Sequence, residues 1–156
     1  MFGFLKRKIR EVYAPVDGQV VALESVNDDV FSQKMVGDGV AINPMSNAFT
    51  APIDGVVSKI FSTNHAYSVK SEKDLEVMVH IGLETVALEG QGFKRIANEG
   101  DRVKAGDVII EADLSYIREH AKDVITPVII LEESDVSEIH KKLNIVKAGD
   151  MIMEVK

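Results

Sequence analysis

The chain has 156 residues, enough for one domain with a sizeable hydrophobic core. With 46% hydrophobic and 28% charged residues, its composition is typical of a globular protein and excludes disordered and membrane-spanning classes. The absence of cysteine excludes disulfides, thiol catalysis and thiolate metal sites and fits a reducing cytoplasm, and the net charge of −7 argues against nucleic acid as a partner.

The first element is a basic N-terminal segment, residues 1–11, ahead of a single domain predicted over 12–156. Residues 1–10 carry a formal charge of +4, which leaves −11 for the rest of the chain. Phe2, Leu5 and Ile9 have helical spacing, so the segment is predicted either to lie weakly on an anionic membrane surface or to be a frayed terminus. It lacks the apolar stretch of a secretory signal.

From residue 12 onward the sequence predicts an all-β fold, an antiparallel β-sandwich or barrel. Short β-branched runs alternate with Gly, Asp, Asn and Pro at even spacing. The predicted strands are 12–14, 18–25, 39–43, 55–62, 74–81, 108–113, 126–131 and 151–155. Two short helices are predicted, 114–122 after Asp113 and 136–143 after Asp135, where Glu138 has capping-box spacing.

Two pentapeptides each occur twice. Ala-Pro-Val/Ile-Asp-Gly lies at 14–18 and 51–55, and Val-Lys-Ala-Gly-Asp lies at 103–107 and 146–150. The Asp-Gly and Gly-Asp steps supply the positive φ of tight turns. Because no linker divides the chain, we interpret these echoes as internal duplication within one sandwich.

His80 lies in an alternating stretch, 75–81, whose β-branched side should face the core. This alternation places Glu76, Met78 and His80 on the other face, with His80 on a rigid strand. By itself the pattern also fits a histidine that is merely tolerated on a strand face. His120 and His140 are interpreted as surface residues.

His65 lies in a strand-like segment that a polar stretch joins to the His80 strand. If the two segments pair antiparallel, facing residues have Cβ atoms about 5 Å apart, which would bring the imidazoles close together. Thr63, two residues earlier, should share the face of His65. Two neighbouring imidazoles can bind a metal or act as acid and base. Alternatively, one can act as a nucleophile while the other stabilises the transferred charge. A neutral imidazole suits phosphoryl transfer, and a second imidazole with a hydroxyl can hold the phosphoryl oxygens.

Five segments, in order along most of the chain, resemble the glucose-type IIA components of bacterial phosphoenolpyruvate-dependent sugar phosphotransferase systems. They are FSQKMVGDGVAI at 31–42, TNHAYS at 63–68, VHIGLETV at 79–86, LEGQGF at 88–93 and EGDRVKAGD at 99–107. The resemblance implies a phosphotransferase component with an antiparallel β-sandwich. Independently of the resemblance, we expect a cytoplasmic monomer, either free-standing or part of a larger permease.

The resemblance further implies roles for individual residues. His80 is expected to accept a phosphoryl group from the carrier protein HPr and to pass it to a cysteine on the IIB domain of a sugar permease. His65 is expected to stabilise the group, with Thr63 hydrogen-bonded within the pair. The implied partner-binding rim is Asp28, Val30, Phe31, Met78, Glu84 and Val86. In the family, an aromatic residue is common at the position of Met78 and a shorter carboxylate at that of Glu84. Both differences are expected to affect which partners bind.

Three other functions remain as alternatives. A zinc site at His65 and His80 needs further ligands, and the resemblance implies zinc only together with a partner's carboxylate, with no cofactor otherwise. A lipoyl- or biotinyl-type carrier would need a lysine in an attachment tripeptide at a hairpin tip, and the sequence offers none. Regulatory targets that bind one phosphorylation state are the third alternative.

Overall fold

The computed structural model describes residues 9–72 and 74–156, so the basic segment lies largely outside the described residues. The strands are β1 (Arg10–Tyr13), β2 (Gly18–Ala22), β3 (Gly37–Pro44), β4 (Ala48–Thr50), β5 (Gly55–Ile60), β6 (Ala66–Lys70), β7 (Glu76–His80), β8 (Phe93–Arg95), β9 (Arg102–Val103), β10 (Val108–Ala112), β11 (Thr126–Leu131), β12 (Ile139–Lys141), β13 (Ile145–Val146) and β14 (Met151–Val155). The helices are α1 (Asp29–Ser32) and α2 (Leu114–His120), with 3-10 turns at Leu23–Ser25 and Thr85–Leu88. The predicted boundary after residue 11 falls inside β1.

The strands form one large sheet and two small ones. The eight-stranded sheet has the order β13-β2-β3-β11-β7-β6-β5-β9, and the small sheets have the orders β1-β14-β12 and β4-β10-β8. Every strand pair among the described residues is antiparallel. The predicted antiparallel β-sandwich is therefore confirmed. No helix in this part of the chain is long and apolar enough to span a bilayer.

The two faces of β7 contribute to two separate hydrophobic clusters. Val77 and Val79 belong to the main core, where both side chains are inaccessible to solvent. Met78 points to the opposite face and packs in a smaller cluster with Phe31 and Leu83. This second cluster covers the face on which His80 lies, so the large sheet is apolar on both sides near its centre.

The repeated pentapeptides hydrogen-bond to one another in a nested order. The Asp17 carboxylate accepts from the Ala148 N–H at 2.8 Å, and the Asp54 carboxylate accepts from the Ala105 N–H at the same distance. The sheet register repeats as well, since Gly18 pairs with residue 146 on β13 as Gly55 pairs with residue 103 on β9. The predicted internal duplication is thus visible as two equivalent halves that meet at β11 and β7.

The helix predicted over 136–143 is wrong, because this segment is extended. Within it, β12 pairs antiparallel with β14, and the N–H groups of Ser137 and Glu138 both donate to the Lys156 carbonyl. The capping-box spacing at Asp135 favours a helix locally, but pairing with β14 stabilises the extended conformation more. The helix predicted after Asp113 is confirmed as α2, where the Asp113 side chain accepts from the Tyr116 N–H at 3.1 Å.

Candidate functional site

The two candidate histidines meet at one end of the β6–β7 pair. In the antiparallel register, Ala66 lies opposite His80, and the N–H of Ile81 donates to the His65 carbonyl at 2.7 Å. The two segments therefore pair antiparallel, which is the condition for two close imidazoles. The ring centroids of His65 and His80 are 4.9 Å apart, with the ring planes at 79°. The imidazoles are direct neighbours on a central part of the sheet.

His65 sits at the end of a tight turn that joins β5 to β6. The Asn64 N–H donates to the Phe61 carbonyl at 2.7 Å, and Asn64 has a left-handed backbone with φ of 60°. Thr63 does approach His65, with 2.6 Å between its hydroxyl oxygen and Nδ1. The strand predicted through residue 62 ends at Ile60, so a turn and not strand alternation brings the hydroxyl to the ring.

The carbonyl of Gly82 fixes the tautomer of His80. Nδ1 of His80 lies 2.8 Å from this oxygen, and because a carbonyl only accepts, Nδ1 must carry the proton. In the neutral ring Nε2 is therefore the basic nitrogen with a free electron pair. Gly82 has φ of 77°, and a Cβ there would lie 2.7 Å from the Asp123 carbonyl oxygen, so no other residue fits without a shift.

The environment favours the uncharged form of both rings. Burial, reinforced by the adjacent His80, lowers the pKa of His65 to about 4. Burial also lowers the pKa of His80, while the Gly82 carbonyl and the Asp28 carboxylate act in the opposite direction. No buried side-chain nitrogen or oxygen among the described residues lacks a hydrogen-bond partner. The Nε2 atoms make no hydrogen bond among these residues, so each keeps some contact with solvent.

Aromatic rings enclose the histidines on both sides. The Phe31 ring is centred 4.9 Å from the His80 ring, and the Phe61 ring lies edge-on to His65 at 5.3 Å. Phe61 and Gly82 were not among the predicted site residues. The motif TNHAYS begins too late to include Phe61, although an aromatic residue just before the turn is a signal that could have identified it.

The predicted rim divides into exposed and buried residues. Val30 and Val86 are 43% and 57% exposed, and Glu84 is exposed as well. The expectation that Met78 forms rim and not core is wrong, because it is 9% exposed, and Phe31 is only 5% exposed. Both side chains fill the second cluster beneath the site, where Phe31 still touches the His80 ring.

Asp28 is half-buried at the start of α1, and its carboxylate accepts from the Val30 N–H at 3.0 Å. It therefore caps the helix that carries Val30 and Phe31 while placing a negative charge near His80. The other two histidines are exposed, as predicted, and lie apart from the pair. His120 stacks on Tyr116, and Nε2 of His140 lies 3.4 Å from a carboxylate oxygen of Glu138.

The histidine pair supplies only part of a metal site. Each Nδ1 is engaged within the protein, so His65 and His80 offer one nitrogen each. In residues 9–72 and 74–156, no group of three or more His, Cys, Asp or Glu side chains is placed to hold a metal. Two imidazole nitrogens fit half of a tetrahedral zinc site, and the remaining ligands would have to come from another molecule.

Comparison with known proteins gives a consistent result. Residues 10–136 match the family described as phosphoenolpyruvate-dependent sugar phosphotransferase system, EIIA 1. The glucose-specific EIIA component of Haemophilus influenzae is 49% identical over 98% of this chain and 93% of its own length, and that of Borreliella burgdorferi is 47% identical over 87% and 72%. An N-acetylglucosamine-specific EIICBA component of Klebsiella pneumoniae is 45% identical over 84% of this chain but 20% of its own.

Among solved structures, glucose permease IIA from Mycoplasma capricolum superimposes with a TM-score of 0.92. It is 35% identical and covers 100% of both chains. The sequence matches and the structural match agree along the length of the domain. The chain therefore belongs to the EIIA 1 family of the phosphoenolpyruvate-dependent sugar phosphotransferase system.

Proposed function

We propose that this protein is a phosphocarrier that accepts a phosphoryl group on Nε2 of His80 from phosphorylated HPr and passes it to the cysteine of a IIB domain during sugar uptake. The observation that carries the proposal is the His80 ring itself. Its Nδ1 is held by the Gly82 carbonyl, its Nε2 keeps some contact with solvent, and its pKa is lowered, so the ring is neutral near pH 7. A neutral imidazole nitrogen is a competent nucleophile.

In the first step the electron pair of Nε2 attacks phosphorus on the donor. The new N–P bond forms as the donor's own N–P bond breaks, and that electron pair returns to the donor ring. In the second step the thiolate of the IIB cysteine attacks the same phosphorus, and the electron pair returns to His80. Such transfers depend on alignment and on charge stabilisation, so the protein needs no covalent chemistry beyond this one nitrogen.

His65 and Thr63 stabilise the transferred group in this proposal. If the Thr63 hydroxyl donates to Nδ1, the proton of the neutral His65 ring lies on Nε2, which can then donate to a phosphoryl oxygen on His80. The low pKa of His65 keeps the ring uncharged, so it offers a hydrogen bond without an ion pair that would trap the phosphoryl group.

Partners dock over the site with the rim, Asp28, Val30, Glu84 and Val86, around the buried Phe31 and Met78 beneath it. Val30 and Val86 provide exposed apolar contacts, and Asp28 and Glu84 favour partners with a basic face.

The reaction suits a monomer in the cytoplasm. A phosphoryl group on His80 adds about two negative charges to this surface, so regulatory targets that prefer one state would be switched by it. Zinc would bind His65 and His80 only with a partner's carboxylate.

The test is phosphotransfer with enzyme I, HPr and labelled phosphoenolpyruvate. We expect label on wild type, none on His80→Gln, and label on His65→Gln that moves on to a IIB domain at a strongly reduced rate, one still measurable in a single turnover. Thr63→Val should slow onward transfer by about tenfold, while Thr63→Ser keeps the hydroxyl and should transfer normally. His140→Gln is the matched control at an exposed histidine. Absence of label on wild type would refute the carrier function.

A further inference from the structure

Arg95 reaches from one sheet to the turn that positions His65. It lies at the end of β8, opposite Ile110 in the small sheet β4-β10-β8. Its Nε donates to the side-chain oxygen of Asn64 at 2.9 Å, and its Nη2 donates to the Phe61 carbonyl at 3.4 Å. The planar fork of one guanidinium thus spans the turn between β5 and β6.

The two residues that Arg95 binds define the shape of this turn. Asn64 is left-handed, a conformation that is unfavourable for residues other than glycine and is tolerated best by Asn and Asp. The Phe61 carbonyl also accepts the N–H of Asn64, so it is shared between the turn and Arg95. Thr63 lies between these two residues and His65 directly after them. Any rotation of the turn would therefore move both the Thr63 hydroxyl and the His65 ring.

We propose that Arg95 is a positioning residue for His65, acting through Asn64 and the turn that also carries Thr63. The proposal rests on the proposed function, in that the ring it holds is the one that stabilises the phosphoryl group. Arg95 is exposed, and exposed pairs contribute little to global stability, so its effect should lie in geometry and not in folding. A displacement of a stabilising group by a fraction of an ångström is enough to slow a transfer.

A substitution at Lys94 is the control that distinguishes a loss of positioning from a loss of positive charge. Lys94 is the preceding residue on β8, it is exposed, and within the described part of the chain its side chain makes no hydrogen bond or ion pair. Removing it changes the net charge as Arg95→Ala does but leaves the turn intact. Arg95→Lys keeps the charge and loses the fork. We expect Arg95→Ala and Arg95→Lys to lower the rate of onward phosphoryl transfer to a IIB domain by about three- to tenfold. Lys94→Ala should leave this rate unchanged.

The decisive measurement is a double-mutant cycle with His65→Gln in single-turnover assays. If Arg95 acts through His65, Arg95→Ala has no further effect once His65 is replaced. An equal loss in the His65→Gln background, an equal loss for Lys94→Ala, or full rescue by Arg95→Lys would overturn the proposal.

A second readout does not depend on activity. In the bare wild-type protein, the ¹⁵N signals of the His65 ring report the hydrogen bond at Nδ1. These signals should shift in Arg95→Ala and stay unchanged in Lys94→Ala, while both variants keep the wild-type melting temperature. Unchanged His65 signals in Arg95→Ala would overturn the positioning role. Absence of label on the wild type would overturn the carrier function instead, and the positioning role could still be measured from these signals.

Discussion

At His65, burial and a neighbouring imidazole both disfavour the imidazolium form, and no carboxylate opposes them. His80 differs, because the Gly82 carbonyl and Asp28 partly offset its burial. The site therefore pairs one ring that stays neutral well below pH 7 with one whose basicity is held up by its neighbours. Such a division suits a stabilising group beside a nucleophile.

The low pKa of His65 predicts how stability responds to acid. In the unfolded chain a histidine has a pKa of about 6.5, so below that pH the unfolded state binds a proton that the folded state does not. The free energy of unfolding should accordingly fall as the pH drops from 6.5 towards about 4, and this residue accounts for about 3 kcal/mol of that fall. Urea titrations of wild type and His65→Gln across this range measure the difference.

The variant should be less sensitive to acid than wild type over that interval. Parallel pH curves for wild type and His65→Gln would contradict the prediction. So would a ring ¹⁵N titration of His65 centred near 6.5.

Alternation in 75–81 and the polar stretch before it are visible in the sequence, so the two histidines could be placed near each other. The approach of Thr63 to His65 comes from a turn and not from the strand alternation used to predict it. The sequence did not predict Gly82 or Arg95 as site residues. Gly82 acts through a carbonyl oxygen, which every residue has, and Arg95 acts across a gap of 31 positions from Asn64. Contacts of this kind depend on how the sheets pack and leave no local pattern.

Two short connections shape the site at the level of elements. One is the turn from Phe61 to His65, and the other is the loop after β7, where Gly82 turns the chain so that its own carbonyl meets His80. The loop is held down by the Leu83 N–H, which donates to the Asp123 carbonyl at 2.9 Å. Both histidines thus lie where a strand of the large sheet meets an irregular segment.

Gly82→Ala should damage both stability and phosphoryl uptake. A Cβ would lie 2.6 Å from Cγ2 of Thr85 and 2.7 Å from the Asp123 carbonyl oxygen, in addition to the strain of a positive φ. Gly100→Ala is the matched control, because Gly100 has φ of 91° but no heavy atom within 4 Å of its Cβ position.

We expect about 1 kcal/mol of destabilisation for the control from backbone strain alone, and about 1–3 kcal/mol more for Gly82→Ala. Denaturant unfolding of both variants measures this. Equal losses would show that the space around Gly82 is not limiting, and normal uptake of label by Gly82→Ala would show that the loop does not need this shape.

Elements with strong β-branched runs were predicted with correct bounds, as β11 and β14 show. Those whose structure depends on a distant partner were not. β12 pairs with the C-terminal strand, and the short strands β8, β9 and β13 contain only two or three residues. In such segments sheet pairing and not propensity decides the conformation.

For the whole molecule, duplication predicts equivalent energetics at equivalent positions. Asp17→Ala and Asp54→Ala each remove one 2.8 Å hydrogen bond to a backbone N–H in the corresponding turn. Each should lower the free energy of unfolding by about 1 kcal/mol, and the two values should agree within a few tenths. Glu133→Ala is a control at an exposed acidic residue and should change stability by less than about 0.5 kcal/mol. Clearly unequal losses for the two aspartates would contradict the equivalence.

The repeats indicated duplication, but they did not predict which copy bonds to which. The chain presents both Ala-Pro-type segments before either Val-Lys-type turn, and the contacts are nested, with the inner pair enclosed by the outer pair. Only the sheet order, in which the two halves meet at β11 and β7, distinguishes this arrangement from two consecutive units.

Nesting also sets an order of assembly. The inner bond, from Ala105 to Asp54, closes 51 residues, whereas the outer one, from Ala148 to Asp17, closes 131. On a ribosome, the segment that carries both histidines can complete its half of the sheet while residues 14–18 still lack their partner. The outer half must wait until Ala148 has been synthesised, so a nascent chain that has passed Ala105 can hold its reactive pair before the outer half closes.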